Sequence, residues 1–411
     1  MLQFPPPERE WISWLYVALC VLAIFLTVPV ARTIQTFVAD HWGRELFSHA
    51  VIALILVTIC GAAVRLRRLA TTGTVNYVWL LAVAAIFTAY TLKLRRNPEE
   101  AVHFVEYGLL GLLLARALSH RIGDLSIYAT AIVAGTIVGT LDEALQWLTP
   151  RRFWDYADIG LNVVGTGLAL IAVAAGLRPP ALSGPPARVN VALFCRVAAA
   201  LVGLLGLCLL NTPARVAWYA QQVPGLAFLR DNPSAMTEYG YRYVDAEIGV
   251  FRSRLAPSML QTTDEQRAQE AANILARYRD TSTSAFLREY THYSDPFMHE
   301  LRIHLRRRDY YAQTYPEHRH DDREYRHRAT ISWRENRILD KYFPRTLELS
   351  GYAWSPATGA EIESLASPDA PYDSAVSRHL ITRFSEAQAM IAVGAAIIVL
   401  LATARVIGRK A

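Results

Sequence analysis

Apolar residues in this chain gather in long unbroken runs instead of alternating with polar ones. The runs are Trp11–Val30, Leu46–Val64, Val75–Leu92, Val102–Leu118, Leu125–Leu141, Ile159–Leu177, Val191–Leu210 and Ala387–Ala404. A helix rises about 1.5 Å per residue, so about 20 mostly apolar residues match the hydrocarbon core of a bilayer. The pattern predicts an all-α, multi-pass transmembrane helical bundle of about eight spans. Residues 211–385 contain no run of that length and read as a mostly helical extramembrane domain between the last two spans. The chain divides into residues 1–74 with two spans, 75–180 with four, 181–210 with the seventh, the extramembrane domain 211–385, and 386–411 with the last span and a basic tail.

Composition supports the bilayer reading. Of 411 residues, 53% are hydrophobic and 19% charged, against about 25% charged in soluble domains. The first run has too little basic charge before it, and too weak a cleavage signal after it, for a removed signal peptide, so it is expected to stay as an anchor. The net charge of +6 is accounted for by basic residues at helix ends, and nucleic-acid binding is not expected. Cys20, Cys60, Cys195 and Cys208 all lie inside apolar runs without a C-x-x-C pair, and read as small buried apolar side chains.

Basic residues in the short loops set the orientation. Arg65, Arg67 and Arg68, Arg116 and Arg121, Arg178 and Arg188, and Arg405, Arg409 and Lys410 all fall on one side of an eight-span chain, which places that side in the cytoplasm. Lys93, Arg95 and Arg96 and the pair Arg151 and Arg152 fall on the other. By parity, the extramembrane domain shares the outer face with the start of the fourth span, the end of the fifth and the start of the sixth.

Those three segments carry the polar residues. Glu100, His103 and Tyr107 are spaced i, i+3, i+7 on one helical face, with Glu106 beside it. Asp142, Glu143 and Gln146 close the fifth span; Asp155, Asp158, Asn162 and Gly165 open the sixth in one stripe, with Arg151 and Arg152 in the loop between. A charged carboxylate facing lipid costs about 2.5–3.5 kcal/mol even on insertion scales, so these groups must face one another, water or a polar ligand. Each has a plainer role as well. Pro98 suits a first helical turn, Glu99 and Asp155 are placed to cap helices, Arg151 and Arg152 to anchor at the interface, and Gly108, Gly111, Asn162 and Gly165 to let helices pack closely. Convergence from three helices favours a shared polar pocket.

The pattern E-x-x-H-F-x-E-Y-G-x-L-G at Glu100–Gly111 resembles a signature of the VanZ-like membrane protein family. So does D-E-x-x-Q at Asp142–Gln146, followed by P-x-R and D-x-x-x-N-x-x-G across Pro150–Gly165. The likeness covers residues 75–177, and glutamate stands at position 100 where many members carry lysine. The resemblance implies a multi-pass protein of the bacterial cytoplasmic membrane. It also implies a link to the cell envelope, since the family's namesake is associated with low-level resistance to the glycopeptide teicoplanin. It carries no settled reaction.

In the extramembrane domain, Thr263–Asp280, the stretch from Asp295 to Tyr311, and Asp321–Phe343 read as helices, with Gly351, Pro356, Gly359, Pro368 and Pro371 marking a looser exit. His299, Glu300 and His304 miss the metalloprotease spacing, because the histidines are five apart instead of four. The segment 317–328 reads as a solvated mixed-charge face. Arg302, Arg306, Arg307 and Arg308 are candidates to meet lipid phosphates if they face the bilayer. No P-loop, dinucleotide fingerprint, nucleophile elbow or internal repeat is present, and neither a metal nor a cofactor is expected.

Three function classes follow. The first is a binding protein for an amphiphilic envelope ligand, a lipid-linked precursor or a glycopeptide-type antibiotic, held by Glu100, His103, Glu106, Tyr107, Asp142, Glu143, Gln146, Arg151, Arg152, Asp158 and Asn162. The second is a membrane-embedded enzyme on such a lipid, with Glu100, His103, Asp142 and Glu143 as acid–base groups and Arg151 or Arg152 clamping a phosphate. The third, a transporter, is disfavoured because the polar residues cluster at one end of the spans. The binding reading leads, since no nucleophile or metal constellation stands out.

Overall fold

A computed structural model describes residues 4–29, 31–43, 45–67, 73–94, 98–150, 152–230 and 235–409. The described chain is mostly helical and forms two compact units: Met1–Cys208 with Met390–Ala411, and Leu209–Ala389.

The first unit contains α1 (Glu10–Thr27), α2 (Ala31–Trp42), α3 (Glu45–Arg67), α4 (Thr74–Lys93), α5 (Pro98–Leu118), α6 (Ser126–Trp147), α7 (Tyr156–Ile171), α8 (Arg188–Leu210) and α16 (Glu386–Gly408), the last entered from the second unit. Among the described residues, α1, α4, α5, α6, α7 with its extension to Leu177, α8 and α16 are long and apolar enough to cross a membrane, and His49–Val64 within α3 is a shorter apolar run. Large apolar side chains stand exposed on the outer helices, among them Leu19 and Leu26 on α1 and Ile391 and Ile398 on α16. The short helix α2 lies outside the predicted spans; its apolar residues are interspersed with polar ones, a pattern that run length does not detect.

α5 is the central helix and meets α1, α3, α6 and α7. Val17 and Ile24 of α1 pack with Tyr107, Leu110 and Leu114 of α5, Ala131 of α6 and Leu170 of α7. The crossing of α5 with α7 depends on missing side chains. A Cβ at Gly165 would fall 2.5 Å from the Phe104 carbonyl oxygen, and one at Gly111 would fall 2.9 Å from Thr166 Cγ2. Small residues thus let two backbones approach. α7 ends in a wider π turn, Ala172–Leu177, where the Asn76 amide donates to the Gly176 carbonyl at 2.7 Å and satisfies a group that has no water partner in an apolar bundle.

The loops of this unit are tied by ions. Glu8 accepts both Nε and a terminal nitrogen of Arg116, each at 2.7 Å, and the Ser13 hydroxyl at 2.7 Å. Arg116 holds the Glu8 carboxyl down at about 2. Asp124 accepts from Ser126 on one oxygen, and from the Ala187 backbone (2.9 Å) and Asn190 (2.6 Å) on the other, joining the starts of α6 and α8. Burial alone would raise its carboxyl; these donors lower it.

The second unit contains α9 (Pro213–Gln222), the antiparallel strands β1 (Tyr241–Asp245) and β2 (Gly249–Ser253), α10 (Pro257–Arg277), α11 (Thr283–Glu289), α12 (Pro296–Thr314), α13 (Asp322–Tyr342), α14 (Pro344–Ser350) and α15 (Pro356–Leu365). α10, α12 and α13 match the three helices expected from the sequence to within a turn at each end, except that α10 starts at Pro257. The hairpin was not anticipated. It places Tyr243 and Phe251 in a core with Leu275, Phe286, Phe297, Leu301, Leu339 and Phe343.

The expected loose exit is instead an ordered strap that satisfies buried charge. Glu335 on α13 is fully buried, accepts from His304 (2.6 Å), Tyr372 (2.5 Å) and Ser374 (2.7 Å), and is ion-paired with Arg307 at 3.0 Å. Glu300 on α12 is likewise buried and accepts from Ser253, from the Arg254 backbone at 2.8 Å and from Ser377 at 3.3 Å. These contacts correct the lipid-phosphate expectation for α12. Arg302 and Arg308 are buried and Arg307 is committed to Glu335, which leaves Arg306 as the exposed one.

Candidate functional site

The polar stripes of α5, α6 and α7 meet inside the first unit. The centre is Asp142. α6 does not stop at Leu141; good helix formers carry it through Ala144, Leu145 and Gln146 to Trp147. Asp142 and Glu143 therefore lie about a turn before the end of the helix and are essentially unexposed, at 0% and 1%. Asp142 Oδ2 accepts the Tyr107 hydroxyl from α5 at 3.1 Å and the Gln146 amide at 3.3 Å. Its other oxygen, Oδ1, is buried without a hydrogen-bond partner.

Glu143 is better satisfied. It accepts from the Gln146 amide at 2.9 Å, and its second oxygen faces the Asp155 backbone N–H at 3.4 Å. Gln146 in turn accepts from Arg152 through its side-chain oxygen. Asp158 lies close enough for its charge to act on Glu143, and His103 close enough to act on both Asp142 and Glu143. His103 Nδ1 sits 3.3 Å from Glu106 Oε2, but neither atom makes a hydrogen bond. Asn162, 3% exposed, packs where a Cβ on Gly139 would lie 3.2 Å from its Nδ2.

Of the candidates, His103, Glu106, Tyr107, Asp142, Glu143, Gln146, Arg152, Asp158 and Asn162 thus belong to one linked cluster. The side chain of Glu100 and the whole of Arg151 lie outside the described residues. Asp155 is the N-cap of α7, accepting from the Ala157 N–H at 2.7 Å, and its backbone also serves Glu143. The cluster is graded in depth: Asp142 is sealed, while the side chains of His103 and Glu106 are 24% and 29% exposed.

Three participants were missed. Thr166 donates to the Tyr107 carbonyl at 3.1 Å and fixes α7 against α5. Gly139 makes room for Asn162. Trp154 is buried with an unpartnered indole N–H. Spacing offered a signal for two of them, since Thr166 is four residues after Asn162 and Gly139 three before Asp142, each on the same helical face. Trp154 sits in an irregular segment where no period points anywhere.

In the second unit, His299 Nδ1 pairs with the Tyr290 carbonyl at 3.0 Å and His304 with Glu335, so the two histidines serve different partners. Among the described residues, no group of three or more His, Cys, Asp or Glu is arranged to hold a metal ion. Comparison with family models, with curated proteins and with solved structures returned no match.

Proposed function

We propose that the chain is a VanZ-like integral membrane protein that spans the bilayer about eight times and binds an amphiphilic cell-envelope ligand at the α5–α6–α7 cluster. The observation that carries this reading is that three helices apolar enough to cross a membrane turn their carboxylates, histidine and amides toward one another around a sealed Asp142. In a lipid surround such groups turn to one another, to water or to a polar ligand, and the unpartnered Asp142 Oδ1 is the acceptor that a ligand would meet. An amphiphile fits: its tail lies along the exposed apolar helices while its head group meets His103 and Glu106 at the rim. On this reading residues 211–385 lie on the outer face of a bacterial cytoplasmic membrane, and the envelope ligand is a lipid-linked precursor or a glycopeptide-type molecule.

A membrane-embedded acid–base enzyme is the second reading, favoured by the His103–Glu106 pair at 3.3 Å beside the buried carboxylates. Transport is disfavoured by the one-ended distribution of charge.

The test is mass spectrometry of amphiphiles retained on the purified full chain, wild type against Asp142→Asn and His103→Ala. The binding reading expects one amphiphile class to be enriched on the wild type and depleted on both variants. An enzyme would keep its substrate on the variants and lose turnover. Identical retained lipids on all three proteins would remove the site.

A further inference from the structure

We propose that the cluster recognises a positively charged ammonium group on the amphiphile, not a phosphate. This rests on the reading above that the cluster holds an amphiphilic ligand.

The first argument is charge. The described acidic side chains are Glu106, Asp142, Glu143 and Asp158; the described basic ones are Arg152, whose guanidinium reaches Gln146, and His103. Carboxylates gathered in a medium of low dielectric repel one another strongly, and a cationic group placed among them relieves that repulsion.

The second argument is unmet acceptor capacity. Asp142 has no exposed surface, yet its Oδ1 accepts from nothing. Glu106 Oε2 also lacks a hydrogen bond, with His103 Nδ1 nearby but out of alignment. A buried acceptor without a donor is costly, so the missing partner is a donor. An ammonium supplies up to three N–H donors and the counter-charge together. A phosphate would add acceptors and negative charge to a site already rich in both.

The third argument is access. Glu143 is occupied by Gln146 and the Asp155 backbone, so the acceptors without a hydrogen bond are Asp142 Oδ1, which is sealed, and Glu106 Oε2, on a side chain that is 29% exposed. On this proposal the head group meets the more exposed Glu106 first and displaces packing to reach Asp142. Tyr107 holds Asp142 Oδ2, which leaves Oδ1 for the incoming group.

The experiment uses the full chain in phosphatidylcholine nanodiscs, titrated with dodecylammonium and with dodecyl phosphate, each corrected for partition into empty discs. The variants are Asp142→Asn, which keeps shape and removes charge, and Glu106→Gln at the exposed rim, which guards against a folding failure at the buried site. The expected result is saturable dodecylammonium binding, weakened about tenfold or more by each folded variant, with dodecyl phosphate at least about tenfold weaker and indifferent to both. Dodecyl phosphate binding as tightly as dodecylammonium overturns the charge assignment and leaves amphiphile binding standing. Dodecylammonium binding unchanged in both variants, or absent in the wild type, also overturns it; retained-lipid spectra that still differ between wild type and Asp142→Asn would then uphold the broader reading alone.

Discussion

Tyr107 on α5 donates its hydroxyl to Asp142 on α6 at 3.1 Å, and both residues are fully buried. This bond ties two helices and points one carboxylate oxygen away from the other's partners. Replacing Tyr107 with phenylalanine leaves Oδ2 with the longer Gln146 contact alone. Losing a donor to a buried charged acceptor costs about 1–3 kcal/mol, and bonds between membrane helices fall toward the lower end. Denaturation of Tyr107→Phe in detergent, followed by circular dichroism, is expected to show a loss of about 1–2 kcal/mol and weaker ligand retention. Unchanged stability would mean that the bond contributes nothing.

Gly165→Ala tests the helix crossing on which the site depends. The added methyl would sit 2.5 Å from the Phe104 carbonyl oxygen, and backbone cannot yield as a side-chain tip can. Overpacking costs about 1–3 kcal/mol, so thermal unfolding is expected at lower temperature than for Gly160→Ala, where a Cβ meets open space. Equal midpoints for the two variants would contradict this packing.

Glu335 gathers partners from two segments of the second unit, α12 and the 368–381 strap. Glu335→Ala strands buried His304 and frees Tyr372, Ser374 and Arg307 at once. Breaking a buried ion pair by removing one partner costs about 3–5 kcal/mol. Limited proteolysis is expected to cut the 368–381 strap in this variant while sparing it in the wild type.

Acid should loosen the same unit in two stages. Burial pushes His292 down to about 4, against the opposing pull of Glu238. Protonation therefore favours the unfolded chain, and stability falls as pH drops from about 6.5 toward 4. Burial would raise Glu238, but His379 and Arg254 hold it at about 2, so its contribution is present above about 4.5 and is lost as pH falls toward 2. Urea midpoints measured from pH 7 to pH 4.5 should decline, and His292→Gln should flatten that decline. A decline of equal slope in the variant would assign it to other groups.

Run length alone predicted the apolar helices, because a membrane-length helix leaves an uninterrupted signature. The three polar stripes were equally visible, since helical period places His103 with Tyr107 and Asp158 with Asn162 before any fold is known. The depth of Asp142 was not visible. It depends on α6 continuing to Trp147, and a carboxylate pair in sequence looks like an end. The hairpin escaped notice because Tyr241–Asp245 and Gly249–Ser253 are short and mixed in polarity. The arginines of α12 looked lipid-facing, because the burial of Arg302 and Arg308 and the pairing of Arg307 with Glu335 on α13 exist only once the fold brings the helices together.

The central claim is that a foreign polar group completes the hydrogen bonding of Asp142. The most direct measurement is an electron cryomicroscopy map of the full chain in native-lipid nanodiscs, at a resolution that separates side chains from head groups. The account predicts non-protein density about 2.7–3.1 Å from Asp142 Oδ1, continuing past Glu106 into a chain-like feature along the apolar helices. A map in which Asp142, His103 and Asp158 point apart, or in which Oδ1 is satisfied by the protein alone with no amphiphile beside it, would contradict it.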